Sequence, residues 1–296
     1  MSSTNSRIRF DAELTALFGS ETDWRRETGL LQVTAIDARG RSVIAIGPGA
    51  PASATDRFVL GFARARADAI ITTGAILRAE RDLVHRFSDE RREDEAWWGW
   101  RADQLGRREA PCLLILSLRG EIPFDHPALA GSARAIVWTS QAGQARLGRA
   151  GGRFEVRVGI AGGSRETLPH ACGPEHPSAA EALSDAYHWL RDEVGAETVA
   201  IESGPGATLG LYEAAGGDSA KIALAASSSP RIARVDELLL SVYAGIAPTP
   251  VAGPAFPPTE HLAAYFSGPE QPGTRVRVEE PSGAWLFERY RRAAER

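Results

Sequence analysis

The sequence has few of the features that mark several large classes of protein. Its 296 residues include only two cysteines, Cys112 and Cys172, which is too few for a framework of disulfide bonds. No apolar run approaches the length of a membrane span, and Met1 to Phe18 lacks the apolar centre of a signal peptide. We therefore expect a cytoplasmic protein with no membrane partner.

Positive charge is neither abundant nor concentrated. The chain has 34 lysines and arginines against 38 acidic residues, a net charge of −4, and no basic block or stripe. This composition argues against a nucleic-acid partner. With 43% hydrophobic residues and no clear linker, the chain predicts a single domain over 1–296, with insertions near 88–110 and 217–234.

Several catalytic motifs are also missing. No Gly-x-Ser-x-Gly elbow for a serine nucleophile is present, and no His-x-Glu precedes a Pro-Cys-x-x-Cys pair as in zinc deaminases. The segment His170 to His176 gathers possible ligands but contains a single thiol, Cys172. Structural zinc sites use four ligands, so we predict no metal site.

Strand-like and helix-like segments alternate along the chain. This alternation predicts an α/β fold with a largely parallel sheet and crossover helices. The carboxyl edge of such a sheet is where ligands bind. The predicted strands are Leu30 to Ile36 with a returning partner at Arg41 to Ile46, Asp68 to Thr73, Cys112 to Leu118, Arg134 to Thr139, Arg153 to Ile160, Val235 to Tyr243, and a C-terminal hairpin within Thr274 to Tyr290.

A charged segment from Ser88 to Ala110 contains three tryptophans, Trp97, Trp98 and Trp100. The pattern is typical of an exposed helix with an aromatic anchor. Clustered aromatic residues on a solvated helix also mark interfaces, so a lid or a dimer contact is the alternative.

The most informative stretch runs from Thr198 to Gly210. A short apolar run, Val199 to Ile201, ends in Glu202, and glycines then open a predicted helix. Glycines allow close approach of a ligand, and the N–H groups of a first helical turn favour an anion. The spacing matches neither a Rossmann fingerprint nor a Walker A loop. The residues alone therefore leave two interpretations open, a structural turn and a phosphate cradle.

Three segments together carry a resemblance to a known family. They are Thr55 to Glu80, Cys112 to Arg119, and Glu202 to Gly210 followed by Val235 to Leu240. In this order they resemble the riboflavin-biosynthesis pyrimidine reductases, which comprise the C-terminal reductase domain of the bifunctional deaminase–reductase and its stand-alone relatives. The resemblance implies a three-layer α/β/α, dihydrofolate-reductase-like fold, NADPH as cofactor, and a homodimer.

The resemblance also implies a set of cofactor contacts. Glycine amides and strand-end hydroxyls would hold the phosphates and the adenosine, and an arginine suits the 2′-phosphate. The residues are Gly204, Gly206, Ala207 and Thr208 at the pyrophosphate, Gly74 and Ala75 at the nicotinamide half, Ser117 at the adenosine end, Arg119 at the 2′-phosphate, and Thr139 beside the adenine.

On the substrate side, the resemblance implies hydride transfer to a small ribosyl-pyrimidine, as in a 5-amino-6-(5-phosphoribosylamino)uracil reductase. The candidate catalytic residues are Glu202 and Glu80, and the candidate substrate-binding residues are Arg64, Arg86 and Ser53. For Arg64, a solvated helix charge is the alternative from the residues alone, and for Arg86, whose match depends on a one-residue gap, the solvated charge is the favoured interpretation.

The family pattern is less well kept on the substrate side. Ile76 stands where a threonine is usual, Glu80 replaces an aspartate, and the loop from Gly47 to Ser53 departs from the usual substrate loop. Two alternatives therefore stay open: a related NADPH reductase with another substrate, and a protein that binds NADPH without turnover.

Overall fold

The computed structural model describes residues 3–19, 24, 27–45, 49–148, 154–159, 178–213, 232–246, 253–266 and 274–292. Nine strands in these ranges form one sheet. They are β1 (Gly29–Asp37), β2 (Ala69–Thr73), β3 (Cys112–Leu116), β4 (Ala135–Thr139), β5 (Glu155–Val158), β6 (Thr198–Ile201), β7 (Glu237–Tyr243), β8 (Arg275–Glu280) and β9 (Gly283–Arg291).

The strand order is β5-β4-β3-β2-β6-β1-β7-β9-β8. Strands β1 to β7 pair in parallel, whereas β9 runs antiparallel to both β7 and β8. The predicted fold class, a mostly parallel sheet with a C-terminal hairpin, is confirmed. Strand β6 enters late between β1 and β2, and Ile201 pairs with both Gln32 and Ile71. The carboxyl ends of three strands from distant parts of the chain therefore meet at one edge.

Helices cover both faces of the sheet, which gives three layers. On one face, Leu183, Leu211 and Leu262 pack with Ile71 in one cluster, and on the other Phe62 packs around Leu31. The helices are α1 (Ser3–Phe18), α2 (Ala54–Arg66), α3 (Gly74–Ala79), α4 (Arg91–Leu105), α5 (Pro127–Gly131), α6 (Gln141–Leu147), α7 (Ala179–Trp189), α8 (Pro205–Glu213) and α9 (Thr259–Phe266). Among the described helices, none has the length and apolarity that crossing a membrane requires.

Side-chain caps fix where two of these helices begin. The capping box predicted at Ser178 is present, with the hydroxyl accepting from the Glu181 N–H and the Glu181 carboxylate accepting from the Ser178 N–H. At α2, the Ser53 hydroxyl accepts from the Asp56 N–H, and the Glu280 carboxylate accepts from the Thr55 N–H at 3.0 Å. The cap on α2 thus comes partly from β8, more than 200 residues away in sequence.

The structure corrects the prediction of a return strand at Arg41 to Ile46. Among the described residues of that segment, only one antiparallel bridge forms, between Ile36 and Val43. Strand β7 covers β1 along Leu31 to Asp37 on one side, whereas β6 covers only Gly29 to Gln32 on the other. The return segment therefore reaches only the last residues of β1, through that single bridge.

The tryptophan-bearing segment is α4, and two of its three tryptophans lie in the core. Trp97 is 0% exposed and Trp100 is 2% exposed. The Trp97 ring stacks on Phe10 with centroids 4.1 Å apart, and Trp100 meets Phe62 edge-on at 5.7 Å. Because residues three apart share a helix face, both rings point inward. Arg101 of the same helix is also buried, where it donates to the Ala65 and Ala67 carbonyls. Trp97 and Trp100 are therefore the aromatic anchor of the predicted helix, and the lid and dimer-contact interpretations do not apply to these two side chains.

We expect Trp97→Ala to lower the free energy of unfolding by about 3–5 kcal/mol, because it empties a large volume that neighbouring aromatic rings cannot refill. Trp98→Ala is the matched control, since Trp98 is half-buried against Phe87 and its loss should cost much less. Urea unfolding followed by far-ultraviolet circular dichroism measures both. Equal costs would contradict the core role of Trp97.

Candidate functional site

A cavity of about 120 Å³ lies at the carboxyl edge of the sheet, where β1, β2 and β6 meet. Thr34 of β1, Thr72 of β2, and Ser203 and Gly204 just after β6 line it, and Leu60 of α2 closes one side. These residues come together because β6 lies between β1 and β2. In open α/β sheets, ligands bind at the carboxyl ends of the strands, which is where this cavity lies.

A buried ion pair stands at the wall of this cavity. Arg64 donates from Nε and Nη2 to the two carboxylate oxygens of Glu202, each at 2.7 Å, and from Nη1 to the Arg86 carbonyl at 2.7 Å. Their side chains are 7% and 9% exposed. Burial alone would raise the pKa of Glu202, but the charge and hydrogen bonds of Arg64 outweigh it and lower that pKa. Glu202 is therefore ionised at neutral pH and is no source of protons.

His85 is a member of this cluster that sequence reasoning missed. Its Nε2 lies 3.7 Å from Glu202 Oε2, and neither ring nitrogen has a hydrogen-bond partner among the described residues. Burial lowers the pKa of His85 to about 4, so its ring is neutral at pH 7. Nothing in the sequence distinguishes a histidine in this loop, because its burial arises from the packing around Glu202.

Two further carboxylates line the cavity. Glu80, at the end of α3, was predicted as a catalytic candidate, whereas Asp56, in the first turn of α2, was not. Burial raises the pKa of Asp56, and the Ser241 hydroxyl and Arg57 only partly offset this. The sequence shows Asp56 three positions after the cap residue Ser53, a place where aspartate is common because it favours a helix start, so this spacing does not indicate a ligand site.

The glycine turn opens toward the same edge. Gly204 and Gly206 have no positive φ, and a Cβ added to either would meet no atom within 4 Å. Neither packing nor backbone geometry requires these glycines, although glycine in a helix costs about 0.5–1 kcal/mol relative to alanine. The space beside both glycines is open, and contact with a phosphate at the helix N-terminus stays a prediction.

The turn offers fewer free amides than a typical helix start. Pro205 has no N–H, and the Ala207 N–H donates to the Gly204 carbonyl at 3.0 Å. The Thr208 hydroxyl is buried, where it accepts from Gln32 Nε2 at 3.2 Å. Gly204 and Gly206 are therefore the members of the predicted cradle that face open space, and cofactor contact by Ala207 and Thr208 stays a prediction.

The hydroxyls predicted for the adenosine end are used within the fold. Ser117 Oγ accepts from the Glu121 N–H at 3.0 Å, and Thr139 Oγ1 donates to the Ser117 carbonyl at 2.7 Å. Gly74 packs so closely that an added Cβ would lie 2.8 Å from the Glu121 carbonyl oxygen. Packing and hydrogen bonds within the fold account for Gly74, Ser117 and Thr139. Contact of these residues with a cofactor remains a prediction.

The remaining predicted residues lie apart from the cavity. Arg86 is exposed and borders a separate cavity of about 240 Å³, reaching Arg64 only through its carbonyl. Ser53 caps α2, and its hydroxyl donates to Glu280 at 3.0 Å. Ala75 and Arg119 are exposed at the ends of β2 and β3. Their assigned contacts stay predictions, and the segment His170 to His176 lies outside the described residues.

We expect Arg64→Met to lower the free energy of unfolding by about 3–5 kcal/mol at pH 7, because it leaves Glu202 buried without its partner. The folded-state pKa of Glu202 is lowered, so the contribution of the pair is complete above pH 4.5 and is lost as the pH falls below that value. The difference between the two proteins should therefore shrink in acid.

Chemical denaturation at several pH values measures this difference. Arg91→Met is the control, since Arg91 pairs with Glu95 on the surface and its loss should change stability little at any pH. A cost for Arg64→Met that is small, or that grows in acid, would contradict the assignment.

Comparison with known proteins bears on the fold. No protein-family model matches the chain, and no curated protein does. Among solved structures, a pyrimidine reductase-like protein from Corynebacterium diphtheriae aligns with a TM-score of 0.54 and 20% identity, over 96% of this chain and 99% of that one.

RibD from Acinetobacter baumannii aligns with a TM-score of 0.50 and 16% identity, over 93% of this chain and 59% of the RibD chain. This protein thus corresponds to about three fifths of RibD. At these identities the similarity is one of fold. The chain has the fold of the pyrimidine reductase-like proteins, as the three sequence segments predicted.

Proposed function

We propose that this protein is an NADPH-dependent reductase that transfers hydride to a small polar heterocycle. The observation that carries the proposal is the shared edge at which an open glycine turn and a carboxylate-lined cavity meet, with Gly204 belonging to both. The fold it shares with the pyrimidine reductase-like protein of Corynebacterium diphtheriae supports the same reaction class.

The residues of the chain would act mainly by placing the nicotinamide ring of the cofactor against the ring of the substrate. Gly204 and Gly206 would admit the phosphates of the dinucleotide, and the dipole of α8 would favour their charge. NADPH, when bound, supplies the hydride. Because Glu202 is held ionised by Arg64, its role is to accept a hydrogen bond and orient the substrate, which is catalysis by proximity.

The favoured substrate is a ribosylaminopyrimidine of the type reduced in riboflavin biosynthesis. The cavity, at about 120 Å³, is comparable in size to an engineered cavity of about 150 Å³ that binds benzene in another protein, which supports a substrate with a single ring inside it. The ribose phosphate would then lie outside the cavity, because no arginine lines it among the described residues. A homodimer in the cytoplasm is the expected setting.

The direct test mixes the purified protein with NADPH and 5-amino-6-(5-phosphoribosylamino)uracil and follows the absorbance of the reduced nicotinamide. Loss of absorbance that depends on both protein and pyrimidine supports the proposal. Binding of NADPH without turnover on this or a related heterocycle would indicate a non-catalytic binder. Absence of NADPH binding would refute the proposal.

We expect Gly206→Leu to weaken NADPH binding by at least about tenfold, because the added side chain occupies the space through which a phosphate would reach the helix. Gly99→Leu is the matched control: Gly99 lies in α4, and an added Cβ there also meets no atom within 4 Å. Titration calorimetry gives the affinities and thermal melts report folding. Equal affinities for the two folded variants would remove the phosphate site from the glycine turn.

We expect Arg119→Ala to lose about 10- to 100-fold of any preference for NADPH over NADH, since a charge-assisted hydrogen bond contributes roughly 1.5–3 kcal/mol. Arg119 is exposed at the carboxyl end of β3, and Arg91→Ala removes an equally exposed arginine elsewhere. The ratio of the two dissociation constants is the measurement. An unchanged ratio would show that Arg119 does not bind the 2′-phosphate.

A further inference from the structure

A second cavity, of about 240 Å³, lies between α4 and the strands β2 and β3. Its described lining residues include none of those that line the candidate site. Ile70, Phe87 and Leu113 are buried and form its floor, whereas Arg86 and Ala110 are exposed at its mouth. A dry cavity of about 150 Å³ in another protein binds benzene, so this one is large enough for a ligand of its own.

The side chain of His85 lines this second cavity and lacks a partner. It is 3% exposed, and neither ring nitrogen is hydrogen-bonded among the described residues. Two other polar side chains of the lining are already engaged. Asp94 Oδ1 accepts from the Phe87 N–H at 2.9 Å, and the Ser132 hydroxyl donates to the Ala128 carbonyl at 2.7 Å. Buried polar groups are nearly always paired, so His85 marks a place for a polar atom of a ligand.

The neighbour of His85 decides which ring nitrogen is left to accept a hydrogen bond. Nε2 lies 3.7 Å from Glu202 Oε2, which is too far for a hydrogen bond but close enough for electrostatic attraction. Burial lowers the pKa of His85 to about 4, so the ring carries one proton at pH 7. Because Arg64 holds Glu202 ionised, the negative charge favours that proton on Nε2. Nδ1 is then an acceptor without a donor.

The rest of the lining favours a flat ligand without charge. Phe87 and Trp98 lie with their ring centroids 4.7 Å apart and their planes tilted by 51°, and they offer aromatic surface against which another ring can pack. Asp94 and Arg86 are the charged residues of the described lining, one of each sign. An ion would find no surplus of opposite charge here, and burying an unpaired ion is costly.

We propose that this cavity is a second binding site, and that its ligand is an uncharged aromatic ring that donates one hydrogen bond to His85 Nδ1. Indoles and phenols have this chemistry, since each joins a flat apolar body to one N–H or O–H group. The proposal goes beyond the reductase function and does not depend on it. His85 faces Glu202 across the wall between the two cavities, so such a ligand would adjoin the candidate site without entering it.

The test compares indole with benzofuran, which has the same shape but an oxygen in place of the N–H, by titration calorimetry without NADPH. The wild-type protein should bind indole about 3- to 10-fold more tightly, as expected for one hydrogen bond. His85→Phe keeps a ring but has no acceptor, and it should remove this preference. His188→Phe is the matched control, since His188 is exposed in α7, and it should keep the preference.

Two further measurements test the location of the site and the direction of the hydrogen bond. Trp98→Ala should weaken binding of both probes, because it removes an aromatic wall of the cavity. Nitrogen-15 NMR of the free protein should show the His85 proton on Nε2.

The proposal is overturned if the wild-type protein binds neither probe or binds both equally. It also fails if His85→Phe keeps the preference, if Trp98→Ala leaves both affinities unchanged, or if the His85 proton lies on Nδ1. Should His85→Phe not fold, the preference of the wild-type protein and the effect of Trp98→Ala decide the matter.

Discussion

Two buried arginines in the last turns of α2 hold the sheet and the candidate site together. Arg64 binds Glu202, just past the carboxyl end of β6, and Arg66 binds Glu237, at the amino end of β7, at 2.8 Å. Burial alone would raise the pKa of Glu237, but Arg66 and Arg289 lower it to about 2. Because a buried charge without its partner is costly, one helix is tied to the carboxyl end of β6 and to the amino end of β7.

The same pairing decides what Glu202 does. A carboxylate between two strand ends in a cavity has the position of a general acid, and its burial alone would favour that role. Arg64 reverses the outcome by binding both oxygens, so Glu202 is a fixed negative charge and a hydrogen-bond acceptor. His85, buried beside it with neither ring nitrogen hydrogen-bonded among the described residues, lines the separate cavity that Arg86 borders and not the candidate site.

The elements that could be predicted from the sequence are those that local patterns specify. Apolar runs placed the strands, and Ser178 and Glu181 placed a helix start, because period and capping are local. The return strand predicted at Arg41 to Ile46 is reduced to one bridge, between Ile36 and Val43, because β6, which is distant in sequence, takes the first part of that edge of β1. The partner of Arg64 lies 138 residues away, so the sequence shows the charge of Arg64 but not its pairing with Glu202.

The glycine turn and the adjoining cavity carry opposite polarity. Gly204 and Gly206 present the positive end of α8, while Asp56 and Glu80 make the adjoining cavity acidic. An anionic group would be disfavoured among these carboxylates and favoured at the start of α8. Two residues that depart from the pyrimidine reductase pattern, Ile76 and Glu80, line the acidic side. The glycine turn, which would serve any dinucleotide, is kept, while the loop from Gly47 to Ser53, which leads into the helix that bears Asp56, is changed.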